Sequence, residues 1–207
     1  MVKKRKRRRR SRRQRLMRKI IKAAVIAVLA LAIIAMGIWI LFDRHPEVAV
    51  ESYPVVYEDM IRNYASQNGI PAAYPAAVIL AESSYRPEVV SYADARGLMQ
   101  LLPSTGEWIA GKFDEAFSEE DLFDPETNIK YGCWYLGFLM DRYDGDIRCA
   151  SSAYHAGQGN VDKWLKNPSY STDGKHLDVI PYESTETYVN RILKYYEKYE
   201  EIYAEAN

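Results

Sequence analysis

The chain has 207 residues with 28 basic and 28 acidic side chains, so its formal charge is zero. The signs are segregated: residues 1–22 carry 14 Lys/Arg and no Asp or Glu, which leaves 14 basic against 28 acidic residues beyond them. A basic end followed by an acidic remainder argues against one uniformly mixed globule and for two compartments.

The basic run, Lys3 to Lys22, abuts an uncharged apolar run from Ala23 to Phe42. About 20 residues at ~1.5 Å rise match a hydrocarbon core of ~30 Å. A cleavable leader has a shorter core and a small-residue exit, whereas this run ends on Trp39-Ile40-Leu41-Phe42. Residues 23–42 are therefore expected to be a single uncleaved transmembrane helix. Basic flanks resist translocation, so the tail 1–22 is expected in the cytoplasm and the rest outside it. The abutment favours topology and anionic-lipid contact over nucleic-acid binding as the role of the basic tail.

Residues 43–54, with Pro46 and Pro54, read as a linker, and 55–207 as one domain. Tyr57–Asn68 is an amphipathic helix stopped at Gly69. Pro75 suits the first turn of the next helix, Ala76–Ala81, which is apolar on every face and so expected at the centre. It ends at Glu82-Ser83-Ser84. Short β pieces are expected near 85–102. Ser104-Thr105-Gly106-Glu107 reads as a capping box, and Asp124-Pro125 as a helix start. Helices follow over about 147–156, 161–165 and 185–204. The fold class is mostly α.

The three histidines (His45, His155, His176) are scattered and CxxC spacing is absent, so neither a metal nor any other cofactor is expected. Cys133 and Cys149 either pair as a disulfide outside the cytoplasm or serve as small buried side chains.

Glu82 is the anomaly. A carboxylate closing an apolar helix is partly desolvated, which raises its pKa and suits a general acid. The bland alternative is a surface Glu, or one paired with Arg86.

Five ordered words bear on that choice: Glu82-Ser83; Gly97-Leu98-Met99-Gln100; Asp124-Pro125 through Asn128-Ile129, Gly132 and Tyr135-Leu136; Ala153-Tyr154-His155-Ala156-Gly157; and Pro181-Tyr182-Glu183-Ser184-Thr185 through Tyr188-Val189. Over roughly residues 53–200 the chain resembles the soluble-lytic-transglycosylase-like catalytic domain, which has a goose-type lysozyme-like fold. It departs from that pattern at His155, where Asn is usual, and at Ser184, where Glu is usual.

The resemblance implies a lysozyme-like helical domain that cleaves the glycan strands of peptidoglycan between N-acetylmuramic acid and N-acetylglucosamine. Glu82 would be the sole acid/base and the product would carry a 1,6-anhydro ring. Ser83, Met99, Gln100, Tyr154, His155 and Glu183 would bind substrate, with Ser83 alternatively ending its helix and Tyr154 alternatively packing. Further expected partners are the membrane and cell-wall or secretion machinery, with no nucleic acid. Two other classes stay open: a hydrolytic muramidase on the same fold, and a non-catalytic wall-binding module.

Overall fold

The computed structural model describes residues 53–205. The expected basic tail, the span 23–42 and nearly all of the linker lie outside the described residues. Among the described residues no helix is long and apolar enough to cross a membrane. They form seven α-helices: α1 (Glu58–Gln67), α2 (Ala73–Ser83), α3 (Pro103–Ala110), α4 (Pro125–Arg142), α5 (Ile147–Ala156), α6 (Gln158–Leu165) and α7 (Glu183–Glu205), with a 3-10 turn at Glu119–Phe123. The β content of the described residues is two isolated bridges, Val90 with Arg96 and Arg96 with Leu101. The mostly α expectation holds, with its short β pieces between residues 85 and 102.

α2 is the central element. Tyr74, Ala76, Ala77, Val78 and Ile79 are all buried, as an all-round apolar helix requires. α7 lies along it, in the most extensive helix pairing of the fold. The Tyr74 hydroxyl meets Ser151 Oγ of α5 at 2.9 Å, so the one polar tip in this stretch is satisfied. α2 ends abruptly because Ser84 and Tyr85 both take left-handed backbone angles, φ 51° and 62°. Ser83 and Ser84 turn their hydroxyls back onto the Ile79 and Leu80 carbonyls, which satisfies acceptors that the helix end exposes. Glu82 is thereby fixed in the last turn.

A smaller core of Leu101, Ile109, Ala110, Leu122 and Tyr131 sits beneath α3. Here one expectation needs correction. Ser104 caps nothing, because α3 starts at Pro103 with extended Leu102 as its N-cap. The proline ring takes the first helical position, so Ser104 is already inside the helix. The capping box lies instead at Ser118 and Asp121, opening the 3-10 turn. Asp124 does cap α4, accepting from Thr127 N at 2.9 Å. α7 begins at Glu183, two residues earlier than its apolar pattern suggests.

Cys133 and Cys149 are both free and buried. Of the two readings of this pair, the structure takes the small buried side chain. Burial pushes the Cys133 thiol well up, and Cys149 Sγ donates to the Lys175 carbonyl at 3.6 Å.

Candidate active site

Glu82 emerges half-buried at the end of α2. Burial raises its carboxyl pKa, and the Tyr188 hydroxyl and the Arg191 charge partly offset that rise. Both come from α7, one turn apart, with the Arg191 guanidinium 5.8 Å from the Tyr188 ring. The Tyr188 hydroxyl is buried without a hydrogen bond of ordinary geometry, yet the Glu82 charge is the strongest electrostatic influence on it. Arg86 is engaged elsewhere: its Nε donates to the Ser83 carbonyl at 2.9 Å. The pairing of Arg86 with Glu82 is thus replaced by a tyrosine and an arginine from α7. Among the described residues, no carboxylate is among the groups that shift Glu82.

Tyr154 of α5 lies within electrostatic reach of this carboxyl: burial and then the Glu82 charge raise its pKa. Its hydroxyl donates to the Met99 carbonyl at 2.6 Å, so it joins α5 to the turn 97–100 rather than to Glu82. His155 follows on α5. Its Nδ1 lies 3.1 Å from Thr185 Oγ1 and its ring tilts over Tyr188 at 4.6 Å. Burial and then the Arg191 charge lower its pKa, which favours the neutral imidazole.

The turn 97–100 is built around Asn128. This fully buried amide accepts from Met99 N at 2.7 Å and donates to the Arg96 and Leu122 carbonyls at 3.0 and 2.7 Å. Gly97 has φ 78°, and a Cβ there would overlap both Asn128 and the Leu122 carbonyl. Gly is therefore required twice, by backbone angle and by space. Gln100, at φ 48°, folds its amide back so that Nε2 donates to the Val89 and Gly97 carbonyls, each at 2.9 Å. Its Oε1 accepts from no other described residue. Met99 is fully buried, with its sulfur over Gly132, so in this conformation its side chain offers no surface to a ligand.

The residues singled out from sequence thus fall into three groups. Glu82, Tyr154 and His155 share one region with Tyr188, whose ring meets His155 and whose hydroxyl and Tyr154 both feel the Glu82 charge. Ser83, Met99 and Gln100 shape the surrounding backbone. Glu183 stands exposed in the first turn of α7. Sequence reasoning missed Asn128, Tyr188 and Arg191 as site residues. Tyr188 and Arg191 carried a signal, their i,i+3 spacing on one helix, but Tyr188 also fits the apolar stripe of α7. Among the described residues no group of three His, Cys, Asp or Glu side chains could hold a metal.

An apolar helix ending on a half-buried Glu, beside a glycine turn pinned by a buried Asn, defines a mostly α-helical domain built around one central helix. The family described as Transglycosylase SLT domain matches residues 59–177, and the chain belongs to it. The chain is 35% identical over 148 residues to the soluble lytic murein transglycosylase of Escherichia coli K12, covering 70% of this chain and 23% of that one. It is 38% identical over 116 residues to the membrane-bound lytic murein transglycosylase C of Sodalis glossinidius, covering 51% of this chain and 32% of that one. The crystal structure of the Escherichia coli soluble lytic transglycosylase matches with TM-score 0.63 and 32% identity, over 71% of this chain and 25% of the other. An inactive Glu-to-Gln mutant of the Pseudomonas aeruginosa lytic transglycosylase Slt matches with TM-score 0.62 and 29% identity, over 70% and 24%. The chain thus spans only about a quarter of the length of the soluble relatives.

Proposed function

We propose that this protein is a membrane-anchored lytic transglycosylase of peptidoglycan with Glu82 as its single acid/base. The carrying observation is that Glu82 closes the central apolar helix α2 half-buried, where burial raises its carboxyl pKa and Tyr188 and Arg191 of α7 partly offset that rise. A glycosidase of the ordinary kind needs two carboxyl groups, one for the leaving oxygen and one as nucleophile or base.

With one carboxyl group the substrate must supply the rest. Protonated Glu82 donates its proton to the glycosidic oxygen between N-acetylmuramic acid and N-acetylglucosamine, and that C–O bond breaks. The acetamido oxygen of the muramyl sugar bonds to the anomeric carbon as the leaving sugar departs. Glu82, now a carboxylate, takes the proton of the 6-hydroxyl. The 6-oxygen then displaces the acetamido oxygen and closes the 1,6-anhydro ring. Glu82 ends protonated and no water is consumed. The burial that favours the protonated form of Glu82 serves the first step. The Tyr188 hydroxyl and Arg191 serve the second, when the carboxylate exists and needs a donor and a nearby positive charge.

His155, Gln100, Tyr154, Ser83, Met99 and Glu183 complete the reading as groups that bind or frame the glycan. Gln100 Oε1 is an available acceptor for an acetamido N–H, while Met99 and Ser83 act from behind by holding backbone. The apolar run 23–42, flanked by the basic tail, supports an anchor that keeps the catalytic domain 55–207 outside the cytoplasm and close to its membrane.

Mass spectrometry of digested peptidoglycan tests the chemistry. Anhydro-muramyl ends are the expected product; reducing ends would assign a hydrolase, and an undigested wall would assign a binding module. Protease accessibility of the C-terminal part in intact spheroplasts tests the topology, and protection of that part would overturn it.

A further inference from the structure

Arg191 differs from every other arginine among the described residues. Arg62, Arg86, Arg96, Arg142 and Arg148 each donate to a carboxylate or a backbone carbonyl. Arg191 makes no hydrogen bond and no ion pair with a described residue. Its side chain is exposed, with the guanidinium 5.8 Å from the Tyr188 ring centroid. The chain beyond residue 22 holds 28 acidic against 14 basic side chains, so a surface guanidinium has carboxylates in excess to meet. This one meets none.

Its place in the fold ties it to the site. Arg191 follows Tyr188 by one turn of α7, and the same Tyr188 ring takes the His155 ring at 4.6 Å. His155 is held in turn through Nδ1, 3.1 Å from Thr185 Oγ1. Arg191, Tyr188 and His155 thus form one cluster, and the Arg191 charge reaches Glu82. A guanidinium is planar, permanently charged and weakly hydrated, and its fork of N–H groups fits a carboxylate with two parallel bonds. Nothing described in the cluster fills that fork. The strand proposed as substrate carries carboxylates off its sugar rings. The muramyl lactyl group bears one where the peptide stem has been removed, and the stem bears its own where it is present.

We propose that Arg191 is a specificity residue that pairs with a carboxylate on a muramyl substituent of the strand, so that the site prefers peptidoglycan to an uncharged strand of N-acetylglucosamine. The inference rests on the proposed function for its substrate. What Arg191 reads is the charge of the substituent, not a sugar ring. His155 reports the event. Burial and then the Arg191 charge lower its pKa. A carboxylate seated on Arg191 offsets that charge, so His155 should titrate at higher pH under an anionic strand than under a neutral strand of equal length, which desolvates it alike.

The test uses the full chain carrying Glu82→Gln, in which any effect of Arg191 on Glu82 chemistry is silent. Three probes of equal length are titrated calorimetrically at low salt. One is a β-1,4-linked N-acetylglucosamine oligomer. The second alternates N-acetylglucosamine with N-acetylmuramic acid whose lactyl carboxyl is free, and the third is the same strand bearing peptide stems. At least one muramyl probe is expected to bind more tightly than the neutral one. Arg191→Ala should remove about two- to fivefold of that preference, the weight of an exposed ion pair, with the neutral probe unaffected. Arg191→Lys should keep part of it. A preference for the second probe names the lactyl carboxylate, and one confined to the third names the stem. His155 ring resonances, assigned by their loss in His155→Asn, should titrate higher under the preferred probe than under the neutral one, and Arg191→Ala should abolish the difference. Equal loss for all three probes, no loss for any, or a His155 pKa indifferent to probe charge would overturn the proposal. Cleaved product in the Glu82→Gln chain would overturn the Glu82 reading instead, and the initial binding heats would still decide for Arg191.

Discussion

Tyr188 and Glu82 act on each other across α7 and α2: the Glu82 charge raises the Tyr188 hydroxyl and that hydroxyl lowers the Glu82 carboxyl, although the hydroxyl makes no hydrogen bond of ordinary geometry. A buried donor in that state is held by its ring, not by a polar partner. Tyr188→Phe is therefore expected to fold, with a stability change of about 1 kcal/mol or less. Activity should fall by about tenfold or more through the lost carboxylate donor. The hydroxyl lowers the Glu82 pKa, so its removal should move the alkaline limb of the pH–activity profile to higher pH. A variant with full activity and an unmoved limb would show that Tyr188 is packing alone.

Glu82→Gln should abolish cleavage, a loss of at least ~10²–10⁴-fold for a sole acid/base, while raising the melting temperature at pH 7. The sign follows from linkage. Burial raises the folded-state pKa of Glu82 above its ordinary 4.5. The folded protein therefore binds this proton more tightly than the unfolded chain does, and stability falls as pH rises through the folded pKa. Gln removes that loss. The variant's Tm advantage should be present at neutral pH and shrink toward zero below pH 4.5. Melting curves at two pH values measure it, and an advantage independent of pH would contradict desolvation as the cause.

Asn128→Ala should be among the most damaging substitutions outside the chemistry. It removes one acceptor and two donations that hold Met99, Arg96 and Leu122. Each of the three buried groups left unsatisfied costs about 1–3 kcal/mol, so a total loss of roughly 3–9 kcal/mol is expected in chemical denaturation. Activity per folded molecule should also drop, because the turn bearing Gln100 loses its anchor. Asn128→Asp keeps an acceptor for Met99 N but sets a buried carboxylate oxygen against the Arg96 and Leu122 carbonyl oxygens, so it should be no more stable than Asn128→Ala.

Much of this was legible in the sequence, for reasons that differ by element. α2 was plain because an apolar run with no polar face has one stable location, the centre, and its polar terminus then marks the site. The helix start at Asp124-Pro125 was plain because cap and proline act locally. Met99 and Gln100 were less so. Their residue types suggested ligand contact, but the left-handed backbone at Gln100 and the space above Gly132 turn one amide onto backbone and the sulfur into the core. Such directions depend on tertiary neighbours that no local pattern encodes. Tyr188 was hidden for the opposite reason. It occupies a position of α7 that packing alone would fill with an aromatic ring, and only its juxtaposition with Glu82 gives its hydroxyl a role.

Gly132 and Met99 offer a last test of how the site's frame is held. A Cβ at Gly132 would overlap the Met99 sulfur and its methyl group, in a core where both partners are fully enclosed. Overpacking of this kind costs about 1–3 kcal/mol, so Gly132→Ala should destabilise by that amount. Met99→Ala alone should cost about 2–5 kcal/mol through its cavity. The two changes share one space, so the double variant should be more stable than the sum of the single losses predicts, by about 1 kcal/mol or more. The Met99 carbonyl takes the Tyr154 hydroxyl at 2.6 Å, so the Gly132→Ala strain should also reach activity. Shortening Met99 in the double variant should return part of that activity along with the stability. Strict additivity in denaturation would mean that the backbone of α4 gives way instead, and that Gly132 frames the site through helix packing and not through Met99.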